Sequence, residues 1–160
     1  LGPSFHKLII DYQRPSFLKD NIQKELDYIS SQSNETAAFF IKQKDHRVCL
    51  LKKLPDKIIK HHLEVGDTRP LDKGSSGRLI SAFMNLKIKN KEEILSKNYD
   101  ISLGDRDQEI GSVSVPLITK KDKFLGSITV SGHISNFTKK NCLRFLSILN
   151  KSRNKLETSI

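Results

Sequence analysis

Residues 110–132, IGSVSVPLITKKDKFLGSITVSG, predict two neighbouring β-strands and with them the fold class. Apolar residues alternate with small polar ones along 110–118 and again along 124–132, and the KKDK segment between them is typical of a turn. Side chains two residues apart on a strand share one face of a sheet. The pattern therefore predicts a hairpin whose one face carries the hydroxyls of Ser112, Ser114, Thr129 and Ser131.

The face that carries these hydroxyls has two interpretations. Four small polar side chains can lie on the solvent side of a sheet, and the spacing taken alone favours this simpler alternative. They can also form the polar floor of a pocket if a helix covers them. The alternating residues Val113, Val115, Ile128 and Val130 are apolar and are expected to face the other way.

Two helices are predicted before the first strand. Apolar residues recur at helical spacing within residues 4–14, and Pro15 ends that helix because proline disrupts a helix interior. Ser16 is expected to cap the second helix. The apolar stripe of the second helix would consist of Leu18, Ile22, Leu26 and Ile29.

The next stretch changes to a strand-like composition. Residues 37–41 and 47–51 predict a hairpin, and a weaker third strand is predicted over 58–65. Residues 66–70 are expected to form a loop.

The second half of the chain begins with a Gly/Ser cluster at the start of a predicted helix. A short helix over 91–95 and a polar loop over 100–109 lead to the late hairpin, and Thr138 starts a final helix. Helices grouped around antiparallel hairpins predict an α+β domain with one central antiparallel sheet, not a parallel βαβ succession. The length of 160 residues fits one domain or one domain with a short appendage.

The charge balance allows two kinds of surface. The chain carries 28 Lys and Arg against 18 Asp and Glu, a net charge of +10. Such a balance can indicate a nucleic-acid partner, because phosphate contacts come mostly from Lys and Arg. The lysines are scattered with few aromatic residues between them, so a lysine-rich solvated surface is the preferred interpretation.

Cysteine use and hydropathy indicate a reducing, aqueous compartment, and we expect a cytoplasmic protein without a membrane partner. Cys49 and Cys142 are far apart and form no metal-binding or disulfide pattern. No apolar run has membrane-spanning length, and no signal-peptide pattern opens the chain. Because the sequence begins with Leu1 and not Met, we expect a fragment or a processed form.

The segment KGSSGR at 73–78 lies where the predicted helix begins. Free backbone N–H groups and the helix dipole favour an anion at such a position. The segment lacks the glycine frame followed by Lys and Ser/Thr that a phosphate-binding P-loop requires, so nucleotide binding is not indicated. A site for a small carboxylate and a plain helix cap with two hydroxyls are equal alternatives.

No group of residues in the sequence predicts catalysis or a metal centre. His61 and His62 are adjacent and would point to opposite sides of a strand, so they cannot chelate one metal together. We interpret the histidines as surface or packing residues, and Cys49 and Cys142 as small core residues. The acidic pairs Glu92-Glu93 and Asp105 with Asp107 have no accompanying base or nucleophile. We therefore expect neither an enzyme nor a cofactor.

Several segments in collinear order resemble the IclR-type bacterial transcriptional regulators. GDTRPL at 66–71, followed by KGSSGRLISAF at 73–83, is similar to the family's Pro-Leu segment and the helix after it. GSVSVPL at 111–117 and LGSITVSG at 125–132 are similar to its last two strands. The opening LGP at 1–3 resembles the end of the family's winged helix-turn-helix, and residues 16–36 resemble its linker-helix region.

The resemblance implies a C-terminal effector-binding domain with a GAF-like fold over residues 16–160. A linker helix within residues 1–15 would precede it and would follow an absent winged helix-turn-helix that binds operator DNA. The implied partners are a small-molecule effector, such as a carboxylate, and further copies of the chain in a dimer or tetramer. The implied effector-binding residues are Ser75 and Ser76 through their backbone N–H groups, Ser112, Thr129 and Ser131 through their hydroxyls, and Ile110, Phe83 and Met84 as apolar walls.

Two positions depart from the family pattern. Asp72 stands where the family usually has His, and Gly77-Arg78 replaces its Gly-Lys pair. An acid near a carboxylate site would disfavour an anionic effector unless it points away or pairs with Arg78. An acidic loop position that some members use falls within residues 102–107. The alternatives to a regulator domain are a stand-alone basic nucleic-acid-binding module and a GAF-like enzyme.

Overall fold

The computed structural model describes residues 15–160 of the chain. The helix predicted over residues 4–14 lies outside the described residues. Four α-helices and six β-strands follow one another within the described part. They are α1 (Pro15–Ser33), β1 (Thr36–Gln43), β2 (His46–Lys53), β3 (Thr68–Pro70), α2 (Ser75–Phe83), α3 (Lys91–Lys97), β4 (Asp100–Leu103), β5 (Ile110–Ile118), β6 (Phe124–His133) and α4 (Lys139–Glu157), with a 3-10 turn at Ile134–Asn136 before α4.

The six strands form one antiparallel sheet in the order β3-β2-β1-β6-β5-β4. β5 and β6 are the predicted late hairpin, with Ser114 opposite Thr129 and Ser112 opposite Ser131. β1 joins the two hairpins by pairing with β6. The predicted α+β class with a central antiparallel sheet of the GAF-like kind is confirmed.

Helices α1 and α4 cover one face of the sheet and form the main core with it. The predicted stripe of α1 is fully buried there, and so are the valines and isoleucine that alternate with the hydroxyls of β5 and β6. Helix α1 is described from Pro15, so Ser16 lies inside it and the prediction that Ser16 precedes the helix as its cap is wrong. Proline fits the first helical position because its N–H would lack a partner in any case.

Residues 58–65 do not form the predicted third strand. Ile58 and Ile59 are 98% and 73% exposed, whereas Leu63 is buried. The Thr36 hydroxyl donates to the carbonyl of His61 at 2.7 Å. The segment is thus tied down by a side chain and does not extend the sheet.

Two short strands lie where loops are predicted. β3 falls within residues 66–70 and pairs with β2, and β4 opens the polar stretch 100–109 and pairs with β5. Both are edge strands, which tolerate polar residues and proline because one side of their backbone has no strand to bond.

Helix α2 crosses the opposite face of the sheet over β5 and β6, and α3 packs behind it. The first turn of α2 therefore lies over the hydroxyl-bearing face of the late hairpin. This placement creates the candidate site.

Candidate functional site

The start of α2 is fixed by a glycine and a carboxylate. Gly74 precedes the helix with φ of +82°, a conformation that L side chains rarely adopt. Its N–H donates to Asp105 Oδ2 at 2.8 Å, which holds the loop after β4 against this turn. The N–H groups of Ser75, Ser76 and Gly77 have no acceptor within the helix. They form the positive end of the α2 dipole.

The hydroxyls on β5 and β6 are not solvent-facing, so the simpler of the two interpretations is wrong. Ser114 and Ser127 are completely buried because α2 covers them, and Ser75, in the first turn of α2, is completely buried against them. Six hydroxyls form one continuous series of hydrogen bonds, which we call the hydroxyl chain. It runs Ser112–Ser75–Ser114–Thr129–Ser127–Ser76, with oxygen–oxygen distances of 2.6, 2.8, 2.7, 3.4 and 2.6 Å in that order.

A narrow cavity opens beside the hydroxyl chain, between the start of α2, the sheet and the loop after β4. We call it the α2 cavity; its interior volume is about 30 Å³, and about 430 Å³ of open space is counted only when the solvent at its mouth is included. Its polar lining combines hydroxyls of α2, β4, β5 and β6 with charged and imidazole side chains, and its apolar lining comes from both sheet and loop. The lining residues are Phe40, Arg47, His61, Leu63, Arg69, Gly74, Ser76, Ser102, Arg106, Asp107, Ile110, Ser112, Thr129 and Ser131.

Five of the residues expected from the sequence line this cavity, namely Ser76, Ser112, Thr129, Ser131 and Ile110. Ser75 lies directly beneath the lining, where its hydroxyl bonds both Ser112 and Ser114. These six predicted residues are therefore brought together.

The expectation for Phe83 is corrected by the structure. Phe83 ends α2 and its ring stacks on Phe124 at 5.4 Å between centroids, against the apolar cluster under α3. Met84, the other expected wall, is 43% exposed and also lies outside the cavity lining. Both residues are two turns from the start of α2, so they cannot reach the cavity that its first turn borders.

Arg47 is a residue of this site that the sequence analysis missed. It lies on β2 and is only 4% exposed, and its Nη1 donates to the carbonyls of Pro70 and, at 2.8 Å, Lys73. Its guanidinium lies 5.4 Å from the centroid of the Phe40 ring. Burial, with Arg106 and Arg69 nearby, lowers the pKa of Arg47 to about 9, so it is charged at neutral pH.

Arg69 and Arg106 add two further cations to the lining. Arg69 comes from β3, and its Nη2 lies 3.6 Å from Oδ2 of Asp67. Arg106 comes from the loop after β4. Burial and the charge of Arg69 lower the pKa of Arg106. Of the three arginines only Arg47 has a signal in the sequence, because it is a charged residue inside an otherwise apolar strand; the other two look like solvated loop residues.

His61 is also part of the lining, which corrects its interpretation as a surface or packing residue. Its Nδ1 lies 2.7 Å from Ser131 Oγ on β6. Burial, reinforced by Arg106 and Arg69, lowers the pKa of His61 to about 4. His61 is therefore neutral at pH 7 and adds hydrogen-bonding capacity, not charge, to the cavity.

The His61 environment predicts acid sensitivity. Between pH 6.5 and 4 the unfolded chain protonates this histidine and the folded protein does not, so stability is lost as pH falls through this window. We expect the free energy of unfolding to fall by about 2 kcal/mol between pH 7 and pH 4.5 from this group. His61→Asn should remove that part of the decline, as measured by urea unfolding at both pH values.

The control for this experiment is His62→Asn, because His62 is the exposed neighbour. It should keep the wild-type pH dependence. Equal pH dependence in the two variants would show that His61 is not the group responsible.

The departures from the family pattern do not place an acid in the cavity. Asp72 is exposed and is not among the residues that line it. Arg78 does not pair with Asp72; it bridges Asp100 at 2.8 Å and Asp105 at 2.5 Å. Burial raises the pKa of Asp100 despite this contact. Asp72 thus does not oppose an anion in the α2 cavity, and Arg78 instead ties the loop after β4 to α2.

The cysteines have the properties of core residues. Cys49 and Cys142 are free and buried, and burial raises the pKa of the Cys49 thiol to about 12. Burial also raises the pKa of Cys142. Within residues 15–160, no three His, Cys, Asp or Glu side chains are grouped so that they could hold a metal ion. None of the described helices is long and apolar enough to cross a membrane.

Comparisons with known proteins identify the fold. No family model matches the sequence, and no curated protein is significantly similar to it. The solved structure of IclR from Thermotoga maritima is similar to this chain with a TM-score of 0.78 at 15% identity, covering 98% of this chain and 72% of that one.

The chain has the IclR-type fold.

A second IclR-type structure, the transcriptional regulator from Alicyclobacillus acidocaldarius, gives a TM-score of 0.77 at 18% identity over 99% of this chain and 74% of that one. A third similar structure is the inducer-binding domain of the PobR transcription factor from Acinetobacter, a double mutant in complex with 3-hydroxybenzoic acid. Its TM-score to this chain is 0.74 at 11% identity. That likeness covers 86% of this chain and 96% of the domain. At these identities the likeness establishes the fold, and the resemblance seen in the sequence is confirmed to that extent.

Proposed function

We propose that this chain is the effector-binding domain of an IclR-type transcriptional regulator. The observation that carries the proposal is the α2 cavity, in which an unpaired helix N-terminus faces a floor of hydroxyls within a fold shared with an inducer-binding domain. A small ligand would bind there and alter operator binding by an N-terminal domain. Such a role implies a cytoplasmic protein.

The proposed ligand carries an anionic group at the α2 end of the cavity. The N–H groups of Ser75 and Ser76 would donate to it, as helix N-termini do to carboxylates and phosphates. The hydroxyls of Ser112, Thr129 and Ser131 would bond the polar remainder of the ligand. Phe40, Leu63 and Ile110 supply apolar surface for its hydrocarbon part.

The proposed mechanism is a difference in ligand affinity between two arrangements of the regulator. A ligand shifts such an equilibrium only as far as it binds one arrangement more tightly than the other. The intact regulator would be a homo-oligomer, a dimer or tetramer, so that ligand binding in this domain changes the relative placement of two DNA-binding domains.

A sensor role is proposed in preference to an enzyme. The two thiols are protonated at neutral pH because burial raises the pKa of Cys49 and of Cys142. The cavity hydroxyls bond mainly one another, and the histidine beside Ser131 has a pKa of about 4, which makes it a weak base. These groups can hold a ligand, but they do not form an activated nucleophile.

The proposal is tested by a thermal-shift screen of small carboxylates, keto acids, aromatic acids, sugar acids and phosphate esters. A ligand at a hundred times its dissociation constant stabilises the domain by about 2.7 kcal/mol, which gives a readable rise in Tm. Ser131→Leu, which fills the cavity, should weaken calorimetric binding of a hit by about a hundredfold or more and leave the fold intact.

Ser131→Ala is the matched control, because it removes the bond to His61 without filling the cavity. It should lower ligand affinity by about tenfold at most. Unchanged ligand affinity in Ser131→Leu would place the ligand elsewhere and overturn the proposal.

A further inference from the structure

The α2 end of the cavity holds more positive charge than a single carboxylate requires. Three arginines and one aspartate, Asp107, line the cavity, a formal excess of two positive charges. His61 does not add to this charge at neutral pH because its pKa is about 4. Arg47 is buried and Arg69 and Arg106 are half-buried, and charge of one sign that is shielded from water favours an anionic partner.

Arg47 is the centre of this excess. It is 4% exposed, its Nε has no hydrogen-bond partner, and its Nη1 bonds only carbonyl oxygens. Within residues 15–160 no carboxylate forms an ion pair with it, and the nearby Asp72 is exposed to solvent. The two carbonyls and the Phe40 ring account for Nη1 and one face of the guanidinium, and they leave Nε without a hydrogen-bond partner.

The surroundings of Gly74 show that Arg47 and Arg106 both lie beside the start of α2. A Cβ atom at position 74 would lie 3.1 Å from Nη2 of Arg47 and 3.9 Å from Cβ of Arg106. Both side chains therefore border the residue that precedes the first turn of α2. The Arg47 guanidinium and the unpaired N–H groups of that turn adjoin the same small volume, and the Arg106 side chain begins beside it.

The acids around this volume are mostly engaged, and one of them, Asp105, lies at the start of α2 itself. Asp105 accepts from Arg78 and from the N–H of Gly74, and Asp107 accepts from the N–H of Glu109. Asp67 lies 3.6 Å from Arg69, which leaves Arg69 partly neutralised. Arg106 makes no hydrogen bond or ion pair with any described residue.

We propose that the ligand of this cavity carries a doubly charged anionic head group, bound by Arg47, Arg69 and Arg106 at the start of α2. A phosphate monoester and a dicarboxylate with its two carboxylates on one carbon share this chemistry. The inference rests on the proposed function and narrows its ligand from an organic anion to a compact dianion. Guanidinium groups suit such ligands because they donate two parallel hydrogen bonds.

The test uses two matched pairs of probes that differ by one charge. Methyl phosphate is compared with dimethyl phosphate, and malonate with its monomethyl ester, by calorimetry at pH 8 and constant ionic strength. Methyl phosphate is a dianion at this pH, since the second pKa of a phosphate monoester is about 6. At least one dianion should bind about tenfold or more tightly than its monoanion partner, and the better pair identifies the kind of head group.

Two variants distinguish the effect of a cavity arginine on ligand affinity from the effect of the overall charge of the protein. Arg106→Gln should weaken the favoured dianion by about tenfold or more, because it removes one charged hydrogen-bond donor and no structural contact. Arg144→Gln is the matched control: it removes the same charge from the exposed surface of α4, across the sheet, and should leave the affinity unchanged.

The outcomes distinguish the inference from the proposed function. Equal binding of dianions and monoanions, or a dianion affinity that Arg106→Gln leaves unchanged, would overturn the dianion inference while the sensor role stands. If none of the four probes binds at 10 mM but the screen yields a neutral or singly charged ligand that Ser131→Leu abolishes, the inference is again overturned and the sensor role is supported. If none of the four probes binds and the screen yields no ligand that depends on Ser131, the dianion inference and the sensor role are both overturned.

Discussion

Alanine at position 77 is expected to lower the free energy of unfolding by about 3 kcal/mol and the Tm by roughly 6–12 °C. Gly77 lies in the first turn of α2, where alanine would by itself favour the helix by about 1 kcal/mol. A Cβ there would lie 2.8 Å from the carbonyl oxygen of Pro70 and 3.0 Å from that of Leu71. It would also collide with Nη1 of Arg47. Two backbone atoms cannot move aside cheaply, so the steric cost exceeds the helix gain.

The control for Gly77→Ala is Ser147→Ala on the exposed surface of α4, which reports helix propensity without a close neighbour. Its stability should change by about 0.5 kcal/mol at most. Denaturant unfolding of both variants decides the matter. A Gly77→Ala protein as stable as wild type would show that α2 does not approach β3 this closely, and with it that Arg47 is not held in the described position.

Phe145→Ala is expected to have the largest effect on stability, about 3–5 kcal/mol. Phe145 is 1% exposed on α4 and its ring lies 5.1 Å from that of Phe137. Removing the ring leaves a void between α4 and β5, which the surrounding residues can fill only in part. Urea unfolding monitored by circular dichroism measures the loss.

The same position tests whether the two faces of the sheet act independently. Phe145→Leu keeps most of the buried volume and should remain folded with a smaller loss of about 1–2 kcal/mol. Ligand affinity should be unchanged in this variant, because α4 and the α2 cavity lie on opposite faces of the sheet. A clear loss of ligand affinity in Phe145→Leu would contradict this separation.

Periodicity in the sequence predicted the elements that make many contacts with a neighbour. Both hairpins, the start of α2 and the stripe of α1 follow from alternation of period two or from helical spacing, because burial of one face imposes those periods. The prediction failed over residues 58–65, where apolar side chains have strand-like composition but no neighbouring strand. It also missed β3 and β4, which are short and lie at edges where burial imposes little pattern.

The candidate site was predictable only where its residues come from regular elements close in sequence. The spacing of Ser112 with Ser114 and of Thr129 with Ser131 revealed a polar face, and the structure determined that the face is covered. The arginines come from β2, β3 and a loop, so their convergence depends on tertiary contacts across 59 residues, from Arg47 to Arg106. No local pattern in a single sequence predicts that such distant residues come together. The one local sign is Arg47, a charged residue inside the apolar strand β2.

The hydroxyl chain has a consequence for the number of protons that the floor of the cavity can offer. Six hydroxyls carry six protons, and the five hydrogen bonds between them use five. One proton is left, and since the middle of the chain is buried, it is best placed at an end that borders the cavity, at Ser112 or at Ser76. A ligand oxygen that accepts a hydrogen bond from Ser76 orients every hydroxyl in the chain: Ser112 then donates to Ser75 and can only accept from the cavity. The chain thus has two directions of donation, and the ligand selects one of them.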